Sequence, residues 1–368
     1  MLVLLPTYKR IESFILVIES IYNADIPLLE NNERPRLVVL NNYPGNINLI
    51  KLLVEKAENS INSSKNWETI ILNRLNTLPP VENWYSAVFD YAKVDEIVFF
   101  VGDDDPITKE SLAKRYELLN KYEGTLILGR LVHGLIFSDN CSKYYFSLKK
   151  EEYSFNINKL ELSDIWKWNS VHLSNHCFIF NSIFINSFKQ AISWCENQGI
   201  GDLNQRKLFI TYYIAISIKL NGGLILGYDA PVIYRGTSLE ELRFSKYSVR
   251  SWNLGYISGL AHNLLNNNSL KYFKELNEIR GHLKDVYLCY YITIIFDRTI
   301  TKNTRLELDR SFNEHFKLSF SNLFYSLLLI FKFGFGLQAL GLYIKNSIYS
   351  RKIGSITDFD QFYLNEKS

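Results

Sequence analysis

The sequence predicts an α/β fold: a mostly parallel sheet flanked by helices, followed by a helical C-terminal extension. Three observations predict it. Short apolar runs at 2–5, 37–40, 69–72 and 97–101 recur at about the thirty-residue interval of a strand–helix–strand unit. Apolar residues between them fall at helical spacing. Beyond residue 245 only helical patterns remain. Since α/β folds run to ~250 residues as single domains, the expected division is one domain over 1–244 and an extension over 245–368.

Leu2, Val3, Leu4 and Leu5 stop at Pro6, too short a run for the core of a secretion signal, and read as the first strand. Ile11, Phe14, Ile15, Ile18, Ile21 and Tyr22 then lie on one helical face that packs back on the sheet. A strand at 37–40, a helix over 47–58 and a strand at 69–72 follow. Pro79 and Pro80 open the next helix, whose stripe is Val81, Trp84, Tyr85, Val88 and Tyr91. The run 97–101 is β-branched and aromatic without alternation, which suits a central parallel strand covered on both faces. A helix over 109–122 follows it.

From residue 125 the pattern loosens: a strand at 126–128, a polar and aromatic stretch over 137–174, and a strand at 177–180, where the parallel series is expected to break. A helix over 183–196 ends at Gly199-Ile200-Gly201. Asp202 is placed to cap a long helix with Phe209, Tyr212, Tyr213, Ile216 and Leu220 on its apolar face. Strands at 224–226 and 231–234 close the domain.

With 47% hydrophobic and 15% aromatic residues the chain has ample material for a core. A formal charge of +3 and the lack of a basic cluster interleaved with aromatics exclude a nucleic-acid partner. Cys141, Cys177, Cys195 and Cys289 show neither zinc-site spacing nor the density of a disulfide scaffold, so a reducing cytoplasm is the expected setting. The apolar segment 323–344 has the ~20 residues that cross a bilayer. Lys332 in its middle costs about 2.5–3.5 kcal/mol on an insertion scale, and Gly334, Gly336 and Gly341 weaken the helix. A helix lying in the interface or packed on the protein is therefore favoured over one that spans. Lys345, Arg351 and Lys352 would then meet anionic lipid, a peripheral membrane contact through 323–352.

The chemistry concentrates in Gly102-Asp103-Asp104-Asp105-Pro106. Three adjacent carboxylates follow a buried strand, at the sheet edge where α/β proteins bind ligands. They repel one another unless a cation compensates, and Mg²⁺ or Mn²⁺ takes one or two carboxylates with phosphate oxygens and water completing the shell. A diphosphate ligand is therefore expected. The plainer alternative is an acidic loop capping the helix that begins near Thr108. His172 and His176 stand four apart, yet Leu173 occupies the place of the Glu in H-E-x-x-H, so they are expected to line a pocket and not to hold zinc. Trp166 and Trp168 suit either a sugar ring or the core.

In order and spacing, four motifs resemble the family-2-like glycosyltransferases with the GT-A nucleotide-sugar-binding fold. Pro6-Thr7-Tyr8-Lys9-Arg10 is similar to the family's P-T-Y-x-R turn, and Asn83-Trp84 with Ala87 to its N-W-x-x-A helix. Gly102-Asp103-Asp104-Asp105 is similar to its D-x-D element, and Ala230-Pro231-Val232-Ile233-Tyr234-Arg235 with Gly236-Thr237-Ser238 to its closing Y-R-x-x-S strand and turn. The resemblance covers residues 1–240. It implies that Pro6, Thr7, Tyr8 and Arg10 line a nucleotide pocket with Asn83, and that Asn41 stands where the family has an Asp that meets the base. It implies Asp105 as the firmest ligand of a Mn²⁺ or Mg²⁺ ion and Asp103 as a second ligand or ribose contact; the triplet permits two registers, which leaves Asp104 open. Asp202 is similar in position to the catalytic base of inverting members, with Glu196 and then Asp164 as fallbacks. Arg235, at the end of the closing strand, suits either a donor to the departing phosphate or a surface ion pair.

The activity this implies is metal-dependent, inverting transfer from a nucleotide diphosphate sugar, a UDP-sugar first, to a saccharide or lipid-linked acceptor in bacterial surface polysaccharide synthesis. Two alternatives differ in kind. A nucleotidyltransferase needs a glycine-rich loop after the first strand, and residues 6–10 contain no glycine. A non-catalytic sugar-binding scaffold would have little use for Asp103, Asp105 and Asp202 together.

Overall fold

The computed structural model describes residues 1–8, 11–29, 33–137, 144–145, 153–165, 168, 172–196 and 210–238. Most of these, 1–188 and 214–238, belong to one compact unit; 189–196 and 210–213 belong to a second. The boundary expected near 244 and the extension 245–368 lie outside the described residues.

A nine-stranded sheet organises the first unit. Strands β1 (Leu2–Thr7), β2 (Arg36–Asn41), β3 (Glu68–Asn73) and β4 (Ile97–Phe100) run parallel in the order β3-β2-β1-β4. Every residue of β1 and β4 is buried, as a strand covered on both faces requires. β3 lies at the sheet edge, and none of its residues is fully buried.

The period-2 alternation of side chains assigns each helix a face. Val3, Leu5, Leu37, Val39, Phe99 and Val101 pack in one cluster with Phe14, Ile18 and Ile21 of α1 (Ile11–Asn23), Ile50 and Val54 of α2 (Ile47–Ser60) and Leu112 and Leu119 of α4 (Ser111–Lys121). On the opposite face Phe100 meets Tyr85 of α3 (Pro80–Tyr91) with ring centroids 5.4 Å apart.

The parallel series ends where the sequence loosens. β8 (Cys177–Ile179) pairs antiparallel with β4 on one side and with β5 (Leu126–Phe137) on the other. Phe178 stacks at 3.8 Å on Phe184 of α6 (Ser182–Glu196). β5 pairs parallel with β9 (Ile225–Ser238), to which β7 (Ile157–Lys159) adds antiparallel; β6 (Tyr144–Tyr145) pairs with β5. A short helix α5 covers Leu162–Ile165, and α7 covers Ile210–Leu220.

The strands expected at 224–226 and 231–234 are one strand. Gly227 through Pro231 reads as a break, but the β5–β9 ladder shifts register between Leu128 and Arg130, between Arg130 and Leu131 and between His133 and Leu135, and these irregularities seat Pro231 opposite Arg130. Gly222, at φ +80 after α7, takes the left-handed turn that lets the chain enter β9.

Candidate functional site

Strand order reverses between β1 and β4, so the crevice at their carboxyl ends is the switch point where such sheets bind ligands. The acidic loop and the segment after β1 meet there. The Tyr8 N–H donates to Asp103 Oδ2 at 3.0 Å across the crevice. Asp105 N bonds Gly102 O at 3.1 Å and closes the turn. Asp103 and Asp105 are buried, 7% and 4% exposed, and Asp104 is half-buried.

A third segment completes the loop's surroundings. Ser174 Oγ accepts from Gly102 N at 2.8 Å and donates to Asp105 Oδ2 at 2.6 Å. His172 Nε2 stands 3.6 Å from the same oxygen. A Cβ at Gly102 would lie 2.7 Å from Asp105 Oδ2 and 2.9 Å from Ser174 Oγ, so glycine is what permits this approach. Behind the loop, β9 supplies backbone partners: Tyr234 N to Pro106 O at 2.8 Å, Thr108 N to Val232 O at 3.1 Å, and Thr108 Oγ1 to Pro231 O at 3.0 Å.

The wall beside β1 is built from the ends of β2 and β3. Thr7 is 2% exposed and its hydroxyl has no hydrogen-bond partner among the described residues. The rings of Tyr8, 46% exposed, and Tyr43 meet edge-on with centroids 6.0 Å apart. The Asn41 amide, expected at the base, donates to Tyr43 O at 3.0 Å and Asn73 Oδ1 at 2.8 Å. Asn42 clamps the loop after β3, giving to Leu78 O at 2.8 Å and accepting from Leu78 N at 2.9 Å. Asn83 is buried, and its Oδ1 accepts from Arg74 Nε at 3.1 Å; Arg74 also reaches Ser86 Oγ at 2.7 Å. Pro6 is buried on β1 opposite Leu40.

Other expected residues stand elsewhere or outside the description. Arg10, Trp166 and Asp202 lie outside the described residues. Arg235 sits on β9 opposite His133 and one residue after the contact to Pro106, its side chain outside the described ones. Glu196 is exposed at the end of α6, and Asp164 accepts from Glu161 N at 3.4 Å within its own turn. His172 and His176 flank the short turn Leu173–Asn175 instead of sharing a helical face. Trp168 is 6% exposed, with the Arg130 guanidinium 3.9 Å above its ring and Gly227 against it. Its face is therefore filled by protein, which favours core packing over a sugar-stacking role.

Sequence reasoning missed Ser174, Asn73, Arg74 and Arg115. Ser174 joins Asp105 over 69 residues, and the only local hint was a polar cluster, Ser174-Asn175-His176, before an apolar strand. Arg115 is fully buried without a carboxylate partner among the described residues, bonding Ser111 O at 3.2 Å, Ser111 Oγ at 2.8 Å and Asn175 O at 3.5 Å. Burial pulls its pKa down to about 10, and burial pushes the neighbouring Cys177 thiol up to about 12. On β9, burial would raise the Asp229 carboxyl, but bonds from Ser154 and from Arg130 of β5 outweigh it and hold it below its ordinary value.

Asp103 and Asp105 fit a divalent cation by donor chemistry, since both offer hard oxygen from a shared turn. Among the described residues no three His, Cys, Asp or Glu side chains are grouped so as to hold a metal ion. No helix among the described residues is long and apolar enough to cross a membrane; 323–352 lies outside them.

Neither a family model nor a curated protein matches the sequence. Solved structures do. S. aureus TarS 1-349 in complex with UDP-GlcNAc matches with TM-score 0.53 and 16% identity over 85% of this chain and 80% of that chain. The same protein in complex with UDP matches with TM-score 0.48 and 16% identity over 85% and 79%. The first correspondence bears out the GT-A class of fold expected from the sequence.

Proposed function

We propose that the chain is a metal-dependent, inverting glycosyltransferase that takes a UDP-sugar as donor. The observation that carries this reading is the pair of buried aspartates at the switch point, one locked to the backbone after β1 and the other to Ser174. Two hard-oxygen carboxylates on one turn suit a cation shared with a diphosphate. The fold it shares with a UDP-GlcNAc-bound structure supports the same ligand class.

Asp103 and Asp105 would hold Mn²⁺ or Mg²⁺, which when bound neutralises charge developing on the leaving diphosphate. Thr7 contributes a buried hydroxyl that gains a partner when ligand enters. Tyr8 and Tyr43 present ring surface to the base, and Asn41 fixes the orientation of Asn73 beside them. Asp202 is proposed as the base that takes the acceptor hydroxyl's proton on the face of the sugar opposite the diphosphate, so that one displacement inverts the anomeric centre. Arg235 adds a donor toward the leaving phosphate. The acceptor is proposed as a saccharide or lipid-linked saccharide of a bacterial surface polysaccharide, reached from the cytoplasmic face through peripheral membrane contact of 323–352.

Thermal shift with UDP, UDP-GlcNAc and other nucleotide diphosphates, with and without Mn²⁺, tests the reading, since a ligand bound only by the native state raises its apparent stability. UDP is expected to stabilise in the presence of Mn²⁺. Asp105→Ala is expected to abolish that shift while the circular-dichroism spectrum is retained, and Asp202→Asn to keep the shift and lose turnover. Pyrophosphate release with a sugar phosphate and nucleotide triphosphate would identify a nucleotidyltransferase instead.

A further inference from the structure

The Asp105 carboxylate is nearly buried, and a buried carboxylate needs hydrogen bonds to hold one rotamer. Ser174 supplies one with a fixed direction. Its oxygen already accepts from Gly102 N at 2.8 Å, and a hydroxyl has a single proton, so that proton goes to Asp105 Oδ2 at 2.6 Å. The turn carrying Ser174 is itself pinned to several elements. Asn175, fully buried, accepts from Gly129 N on β5 at 2.9 Å and donates to Trp168 O at 2.7 Å. Its carbonyl receives the buried guanidinium of Arg115 on α4. The His176 carbonyl accepts from Phe100 N on β4 at 3.3 Å. Ser174 is therefore a rigid hydroxyl set between the acidic loop and the sheet.

We propose that Ser174 is a positioning residue that sets the Asp105 carboxylate for cation-dependent binding of a nucleoside diphosphate. This rests on the reading of the crevice given above. Outer partners that orient a metal ligand typically change affinity by about ten- to a hundredfold when removed, and the Ser174 hydroxyl bonds Gly102 and Asp105 rather than the residues at the ends of β1 to β3 that are proposed to meet the nucleotide.

The test is calorimetry on the full chain with UDP plus Mn²⁺ and with UDP plus a chelator, alongside thermal midpoints without ligand. Ser174→Ala is expected to weaken Mn²⁺-dependent UDP binding about tenfold or more and to leave UDP binding in chelator unchanged. Wild-type Mn²⁺-dependent affinity in the variant overturns the proposal. So does an equal loss in both conditions with a lowered midpoint, which marks a merely structural role. If the wild-type chain shows no Mn²⁺-dependent UDP binding, the reading beneath the proposal fails first, and the proposal with it. Should the alanine chain not fold, Ser174→Cys, with similar shape and a weak donor, is judged by the same outcomes.

Discussion

Thr7 illustrates how a single side chain trades stability for binding. A buried hydroxyl without a partner costs about 1–3 kcal/mol, and Thr7 is 2% exposed with none among the described residues. Thr7→Val is therefore expected to raise the urea midpoint and weaken UDP affinity, opposite signs that urea denaturation and calorimetry read separately. Legibility at this scale follows locality. The aspartate triplet was visible because three carboxylates after a buried strand have few structural uses. Ser174 was not, because its role depends on a carboxylate 69 residues away. Asn41 ends β2, but the sequence could not show that its amide binds Asn73, since that partner comes within reach only when β3 aligns.

Among the elements, the four parallel strands and the helices between them were legible because each carries its own period. Position in the sheet was less so. The break in the parallel series was expected around 177–180, but nothing in the three residues of β8 says that it inserts between β4 and β5. β9 was divided in two because Gly227 and Pro231 are ordinary strand breakers; the register shifts that absorb them belong to the β5–β9 pair. Close packing across that pair yields a prediction. A Cβ at Gly129 would stand 2.3 Å from Val232 Cγ2 and 2.5 Å from Cγ1. Overpacking of this kind costs about 1–3 kcal/mol, so Gly129→Ala is expected to lower the urea midpoint. Adding Val232→Ala makes room and should recover part of the loss, giving a non-additive pair of changes.

Over the whole molecule, buried titratable groups set an alkaline limit on stability. Burial pushes Cys177 and Tyr228 up to about 12 and raises Tyr22, Tyr85 and Tyr212 above the ordinary tyrosine value. Each keeps its proton longer folded than unfolded, so its contribution is fully present below the unfolded pKa of about 9–10 and is lost as pH rises toward the folded value. Arg115, pulled down to about 10 by burial, acts oppositely: the folded chain gives up that proton first and gains stability above that pH. Among the described residues one such group works against five, and urea midpoints are expected to fall from pH ~8 to pH ~11. The α/β class was legible at this scale too, because alternating strand and helix periods leave few other architectures.

The backing that β9 gives the acidic loop has a consequence for how the chain matures. Thr108 Oγ1 and Pro231 O are 123 residues apart in sequence, so the loop after β4 leaves the ribosome long before the strand that braces it. A nascent chain that has released β1 through β4 already carries Asp103 and Asp105, yet it lacks Val232, Pro231 and Tyr234 behind them. The acidic loop thus gains its backing late in synthesis, and a half-made chain displays Asp103 and Asp105 on a loop that β9 has yet to brace.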